Sequence, residues 1–340
     1  MTPYRMCCAR AVMVALLFAS ATKIAVAAEA NASKHAAVDA SVSSSASAAP
    51  GLAVDHDTGA VRLPLGRLEA ALAPDARLQL FTVTDRPGLY VMQAASLAQQ
   101  GAMFARVVAL LERRDMPRNR VVSAAAIAAH ARRFGTDPAG LTAGNNFSTV
   151  ELTHFFEVAR EQGVVLNQDE RVLQTILVRW RLIREEQGVW KAASARDFLI
   201  TIPGLGPAPG GETIDATVRA AILSHELGHW EYFSDSAYAH ACRAFWWQVL
   251  SYDERAELTR QLANLGYDPS DRIVIDEMQA YLLHTPAAYM PIVDTPGAGG
   301  IDVGRVRRRL QERVARAPGV ETGMEGKGDD GRMDAQETKV

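Results

Sequence analysis

The chain has 340 residues, is 48% hydrophobic and 22% charged, and carries a formal net charge of −3. That length suits one large domain or two small ones, and the near-balanced charge carries no electrostatic footprint for nucleic acid. Cysteine occurs at only three positions, Cys7, Cys8 and Cys242, so no disulfide framework holds the fold once a leader bearing the first two is removed.

The N-terminus reads as a secretory signal over residues 1–27. Arg5 and Arg10 form the basic segment, AVMVALLFASA the apolar one, and Ala25-Val26-Ala27 a small-residue cleavage site. The apolar run is shorter than the roughly 20 residues of a membrane span, and both early cysteines precede it, which excludes a lipoprotein cleavage site. The expectation is a mature protein in the periplasm or secreted, with no stable membrane insertion. Residues 28–58 are Ala- and Ser-rich and read as a flexible linker. Residues 319–340 lack a core-forming pattern and read as a disordered tail. Two units are expected between them, an N-terminal α+β region over 59–145 and a second domain over 146–318.

LQLFTVT (78–84) and LYVM (89–92) are strand-like and joined by Asp85-Arg86-Pro87-Gly88, which predicts a hairpin. Helices are expected over 95–114 and 122–134. Ser148-Thr149-Val150-Glu151 is a capping box that opens a helix. Asn167-Gln168-Asp169-Glu170 opens the next, expected to run to about Glu185. FLITI (198–202) is a short apolar strand, followed by a Gly/Pro-rich loop to Gly211. No GxGxxG, phosphate-binding loop or GxSxG elbow occurs. Further helices are expected over 213–233, 239–250, 254–265, 271–284 and 301–315. Cys242 reads as a small buried hydrophobe.

The helix over 213–233 carries His225-Glu226-Leu227-Gly228-His229. Histidines four apart lie one turn apart on one helix face and can close on one Zn²⁺ at about 2.0–2.1 Å. Glu226 lies beside the metal, where it can take a proton from water. Ile214, Val218 and Ile222 continue the stripe of His225 and His229, so the helix is packed along that face. A third ligand is required. Asp235 stands ten residues after His225, but its route needs a sharp turn at Tyr232, where a bulky side chain opposes positive φ. Glu277, inside the apolar helix over 271–284, is the favoured candidate, because a carboxylate there is costly unless paired or metal-bound. Asp276 points about 100° away, toward solvent or toward a histidine that it would orient.

HELGH followed by the EMQAY helix resembles the zincin metallopeptidases of gluzincin type, over about residues 195–290. The resemblance implies an α+β, mostly helical fold with a small sheet whose edge strand precedes the HExxH helix; FLITI stands at that position. It implies Zn²⁺ held by His225, His229 and Glu277, Glu226 as general base, and a peptide or protein substrate. Tyr281 and His284, one and two turns beyond Glu277, are the candidate donors to the substrate carbonyl. The 47 residues between His229 and Glu277 depart from the short spacing of thermolysin-like enzymes, and no GxMEN string occurs, so subfamily and specificity do not carry over. Two rivals stand beside this reading: an envelope-associated binding module that keeps its metal, and a metal-free structural domain.

Overall fold

The computed structural model describes residues 53–74, 77–133, 135–209, 211–295, 297 and 299–317. The expected signal, the tail and all of the linker before residue 53 lie outside them.

In chain order the chain forms β1 (Ala53–Val54), β2 (Val61–Leu63), α1 (Leu68–Ala71), β3 (Gln79–Val83), β4 (Leu89–Gln93), α2 (Leu97–Leu111) and α3 (Ala124–Arg133). Then come β5 (Asn145–Ser148), α4 (Thr149–Glu161), α5 (Gln168–Arg179), the hairpin β6 (Ile183–Glu186) and β7 (Val189–Ala192), and β8 (Phe198–Ile202). The remainder is β9 (Gly206–Pro207), β10 (Thr213–Ile214), α6 (Ala216–Ser234), α7 (Ser236–Ala244), α8 (Tyr252–Asn264), α9 (Asp271–Gln279) and α10 (Val303–Ala315). Single π-helical turns at Phe245–Val249 and Ala280–His284 extend α7 and α9. The fold is α+β, as expected.

Six strands form one mixed sheet in the order β1-β2-β3-β4-β8-β5. β4 and β8 are parallel, and β5 is antiparallel to β8. Side chains alternate across this sheet. Phe81, Val91, Ile200 and Ile202 face α6, meeting Val218, Ile222 and Leu223. Met92, Phe147 and Leu199 face the other way, onto Phe104 and Val107 of α2 and Phe155 and Phe156 of α4. Every residue of β8 is buried, which is what a strand covered on both faces requires. A third core joins α7, α8, α9 and α10 through Trp246, Leu258, Met278 and Leu310. Cys242 lies in it, fully buried and unpaired.

Several expectations are corrected. FLITI is not the edge strand: it is enclosed by β4 and β5, and β5 forms the edge, with no strand on its other side among the described residues. The expected domain boundary between 145 and 146 falls inside β5, and the sheet joins strands from both sides of it. The helix expected to reach Glu185 ends at Arg179; Arg181 at φ 59° turns the chain, and residues 183–192 form a hairpin instead. Its turn, Gln187 (φ 53°) and Gly188 (φ 76°), is the positive-φ pair that a two-residue hairpin favours. The linker expected to reach residue 58 includes β1. Thr213 lies in a short strand rather than a helix, and α6 starts after Asp215, whose carboxylate accepts from the Val218 N–H. The expected capping box at Ser148/Glu151 is present, and the helix opening expected at Asn167 carries one as well, with Glu170.

Candidate metal centre

α6 presents His225 and His229 on one side, and α9 crosses it to present Glu277. One nitrogen or oxygen from each lies within 4.8 Å of the others. The two Nε2 atoms are 3.2 Å apart. Glu277 Oε2 is 3.7 Å from His225 Nε2, and Oε1 is 3.9 Å from His229 Nε2. Tetrahedral ligands at zinc distances are separated by about 3.3–3.4 Å, so the three groups stand close to that spacing.

The hydrogen bonds fix which atoms face inward. Asp276 Oδ1 accepts from His229 Nδ1 at 2.7 Å. The Thr285 hydroxyl donates to the Ala280 carbonyl, so its oxygen accepts from His225 Nδ1 at 3.0 Å. Both histidines therefore carry hydrogen on Nδ1 and turn an Nε2 lone pair to the same point. Two lone pairs 3.2 Å apart repel unless a shared proton or a metal ion lies between them. Glu277 Oε2 is buried with no hydrogen-bond partner, and buried acceptors are otherwise satisfied. Two facing imidazole acceptors and an orphaned carboxylate oxygen form a donor set that fits Zn²⁺.

Electrostatics agree with the geometry. Burial pushes Glu277 up to about 8, against the pull of His229. Burial opposes protonation of His229, but the charges of Asp276 and Glu277 overcome it and lift the imidazole to about 10. Burial, then His229 and His284, hold His225 well below the usual histidine range. The cluster draws positive charge; with no metal it holds a proton, and a divalent cation would displace that proton.

Glu226 is buried beside this cluster, and burial raises it to about 7. Its Oε2 accepts from Asn146 Nδ2 of the edge strand at 2.9 Å. Gly144, just before β5, packs so close that a Cβ there would stand 2.3 Å from Oε1. A cavity of about 20 Å³ opens between His225 and Glu226, room for about one water. On the far side, Asn146, His229, Asp276 and Glu277 line a cleft of about 280 Å³ together with Glu112, Phe198 and Phe233.

Among the residues expected from sequence, the fold brings together His225, Glu226, His229 and Glu277. Asp235 stands apart: its carboxylate caps α7 through the N–H groups of Ala237 and Tyr238. Asp276 takes the second of its two expected roles, orienting His229. Tyr281 packs its ring on His225 at 4.5 Å between centroids, while its hydroxyl pairs with that of Tyr267 at 3.1 Å. His284 Nε2 lies 2.9 Å from the Tyr238 hydroxyl. Both polar atoms already have partners within the fold, although Tyr281 also lines the cavity beside His225 and Glu226. Sequence reasoning missed Gly144, Asn146, Gln279 and Thr285. Asn146 belongs to a short polar strand without a strong pattern, Gly144 directly precedes it, and Thr285 directly follows the π turn.

Compared with known protein families, curated proteins and solved structures, the chain matches none.

Proposed function

We propose that the chain is a zinc-dependent peptidase acting outside the cytoplasm. The observation that carries this reading is the convergence of two inward imidazole lone pairs and the orphaned Glu277 oxygen next to a carboxylate, Glu226, that is not a ligand. Three protein ligands leave a position open, as a catalytic zinc site requires, whereas a structural site closes with four.

His225 Nε2, His229 Nε2 and the Glu277 carboxylate would hold the ion. Bound Zn²⁺ would supply Lewis acidity and lower the pKa of a water toward about 7. Glu226 takes the proton and returns it to the leaving amine; Asn146 holds the carboxylate in place for both steps. Asp276 and Thr285 keep the imidazoles in the tautomer and orientation that the ligands need. The free edge of β5 is placed to bind an extended peptide by strand addition, because Asn146 of that strand both lines the cleft and holds the base. The role first expected of FLITI thus passes to β5.

Purified protein should carry about one zinc per chain. Glu226→Gln should keep the zinc and lose about 10²–10⁴-fold in turnover of a peptide library. Cleavage that survives both this substitution and chelation would exclude the peptidase reading. A zinc-loaded protein that cleaves nothing would favour the binding-module rival.

A further inference from the structure

His284 is half-enclosed behind α6, and its position is explained by what it touches. The Asp276 carboxylate that orients His229 also accepts from Gln279 Nε2, at 3.2 Å. The same amide nitrogen donates to the Gly228 carbonyl, again at 3.2 Å. Both neighbours are acceptors only, so the nitrogen of the amide must face them and its oxygen must face Tyr238. The Tyr238 hydroxyl donates to that oxygen at 2.7 Å. With its single hydrogen so placed, Tyr238 can only accept from His284, whose Nε2 is 2.9 Å away. Glu231 Oε2, at the surface, stands 3.3 Å from the same nitrogen. Every donor in this chain therefore points the same way, from His284 through Tyr238 and Gln279 to Asp276, where His229 Nδ1–H also ends.

Gly228, the central glycine of HELGH, makes the chain possible. A Cβ at this position would stand 2.5 Å from His284 Cδ2 and 2.7 Å from Cγ. The π turn at Ala280–His284 lays the imidazole directly on the backbone of α6, and only a residue without a side chain admits it. Gln279 and Tyr238 are buried, at 0% and 2% exposure. Hydrogen bonds aligned in one direction at low dielectric reinforce one another.

We infer that Gln279, Tyr238 and His284 are positioning residues for the metal centre, which act through Asp276 to fix the orientation and tautomer of His229, and that Gly228 is glycine to admit His284. This rests on the metal-site reading above. It gives His284 a role distinct from that of a donor to substrate, and it separates the residues that tune metal affinity from the one that moves protons, Glu226.

The test is zinc affinity, measured by competition with a chromophoric chelator, alongside the melting temperature of the zinc-free protein. Tyr238→Phe keeps the ring and removes only the hydroxyl. Gln279→Leu and Gly228→Ala break the chain at two other points. Each should weaken zinc binding by about 10–100-fold while all three ligands remain. In an Asp276→Asn background, Tyr238→Phe should add nothing further, since both act through one group. Variants that melt earlier but bind zinc within about twofold of the parent would overturn the inference and show a packing role alone. So would full additivity with Asp276→Asn. If His284→Gln replaces an unfolded variant in the set, the same outcomes apply. A parent chain that binds no more zinc than His225→Ala would instead overturn the metal-site reading, and this inference with it.

Discussion

Gly144→Ala tests the placement of the proposed base, Glu226, without touching a proposed ligand. A methyl group at 144 would meet Glu226 Oε1 at 2.3 Å and its Cδ and Cγ at 2.8 Å, where ordinary contact begins at 3.4 Å. The carboxylate must retreat by about 1 Å, a displacement that costs on the order of 10²-fold when it falls on a reacting group. It would also leave Asn146 Nδ2, now 2.9 Å from Oε2. Should β5 move outward instead, the same hydrogen bond breaks. The expected result is a fall of about 10²-fold in kcat, about 2.7 kcal/mol in activation free energy. Zinc content and KM should hold, because the proposed ligand atoms belong to His225, His229 and Glu277. The assay is zinc-dependent hydrolysis of a quenched fluorescent peptide, with metal analysis of the same sample. A folded, zinc-loaded variant with parental kcat would refute the reasoning, as would loss of zinc in step with rate.

Three further outcomes are expected. Asp276→Asn should weaken zinc binding by about 10–100-fold in chelator competition; parental affinity would show that the 2.7 Å contact with His229 does not orient it. Arg106→Met strands the fully buried Glu170, to which Arg106 Nε is bonded at 2.7 Å. That should destabilise the fold by about 3–5 kcal/mol in urea titration, with partial recovery when Glu170→Gln is added; a neutral single substitution would sink the idea. Asp268 is held at about 2, since burial raises it but hydrogen bonds from Ser270 and Arg118 outweigh that. A carboxyl lowered in the fold contributes stability that is complete above its unfolded value near 4 and is lost as pH falls toward 2. Because Asp268 is partly exposed and screened, the loss should be about 1 kcal/mol. Urea midpoints at pH 5 and near pH 2 should differ less in Asp268→Asn than in the parent, and equal differences would count against it.

What the sequence made legible is local. HELGH, the capping box at Ser148, the helix opening at Asn167, and the hairpin closed at Gly88 (φ +88°) each depend on residues within a turn of one another. Glu277 was legible for an energetic reason, since a lone carboxylate on an apolar helix face demands a partner. Strand order was not legible. Asn145–Ser148 is four mostly polar residues, and its place at the sheet edge is set by pairing with β8, as where Asn145 reaches Thr201 56 positions away. The hairpin over 183–192 was hidden by Glu- and Arg-rich composition that favours helix, overridden by a positive-φ turn at Gln187-Gly188.

The positions of Tyr281 and His284 were hidden for a different reason. Projecting from Glu277 at 3.6 residues per turn presumes a regular helix, whereas the chain widens into i→i+5 bonding over Ala280–His284. That one wide turn moves Tyr281 onto the face of His225 and swings His284 behind α6, into the space that Gly228 leaves open. The same turn delivers Thr285 to His225 Nδ1. A single departure from helical regularity thus places Thr285 behind His225, and His284 at the far end of the chain that runs through Tyr238, Gln279 and Asp276 to His229. Replacing the π turn by α-helix would require deleting one residue between 280 and 284; that would displace Thr285 from His225 and His284 from Tyr238, while Asp276, upstream of the turn, would keep its own bond to His229.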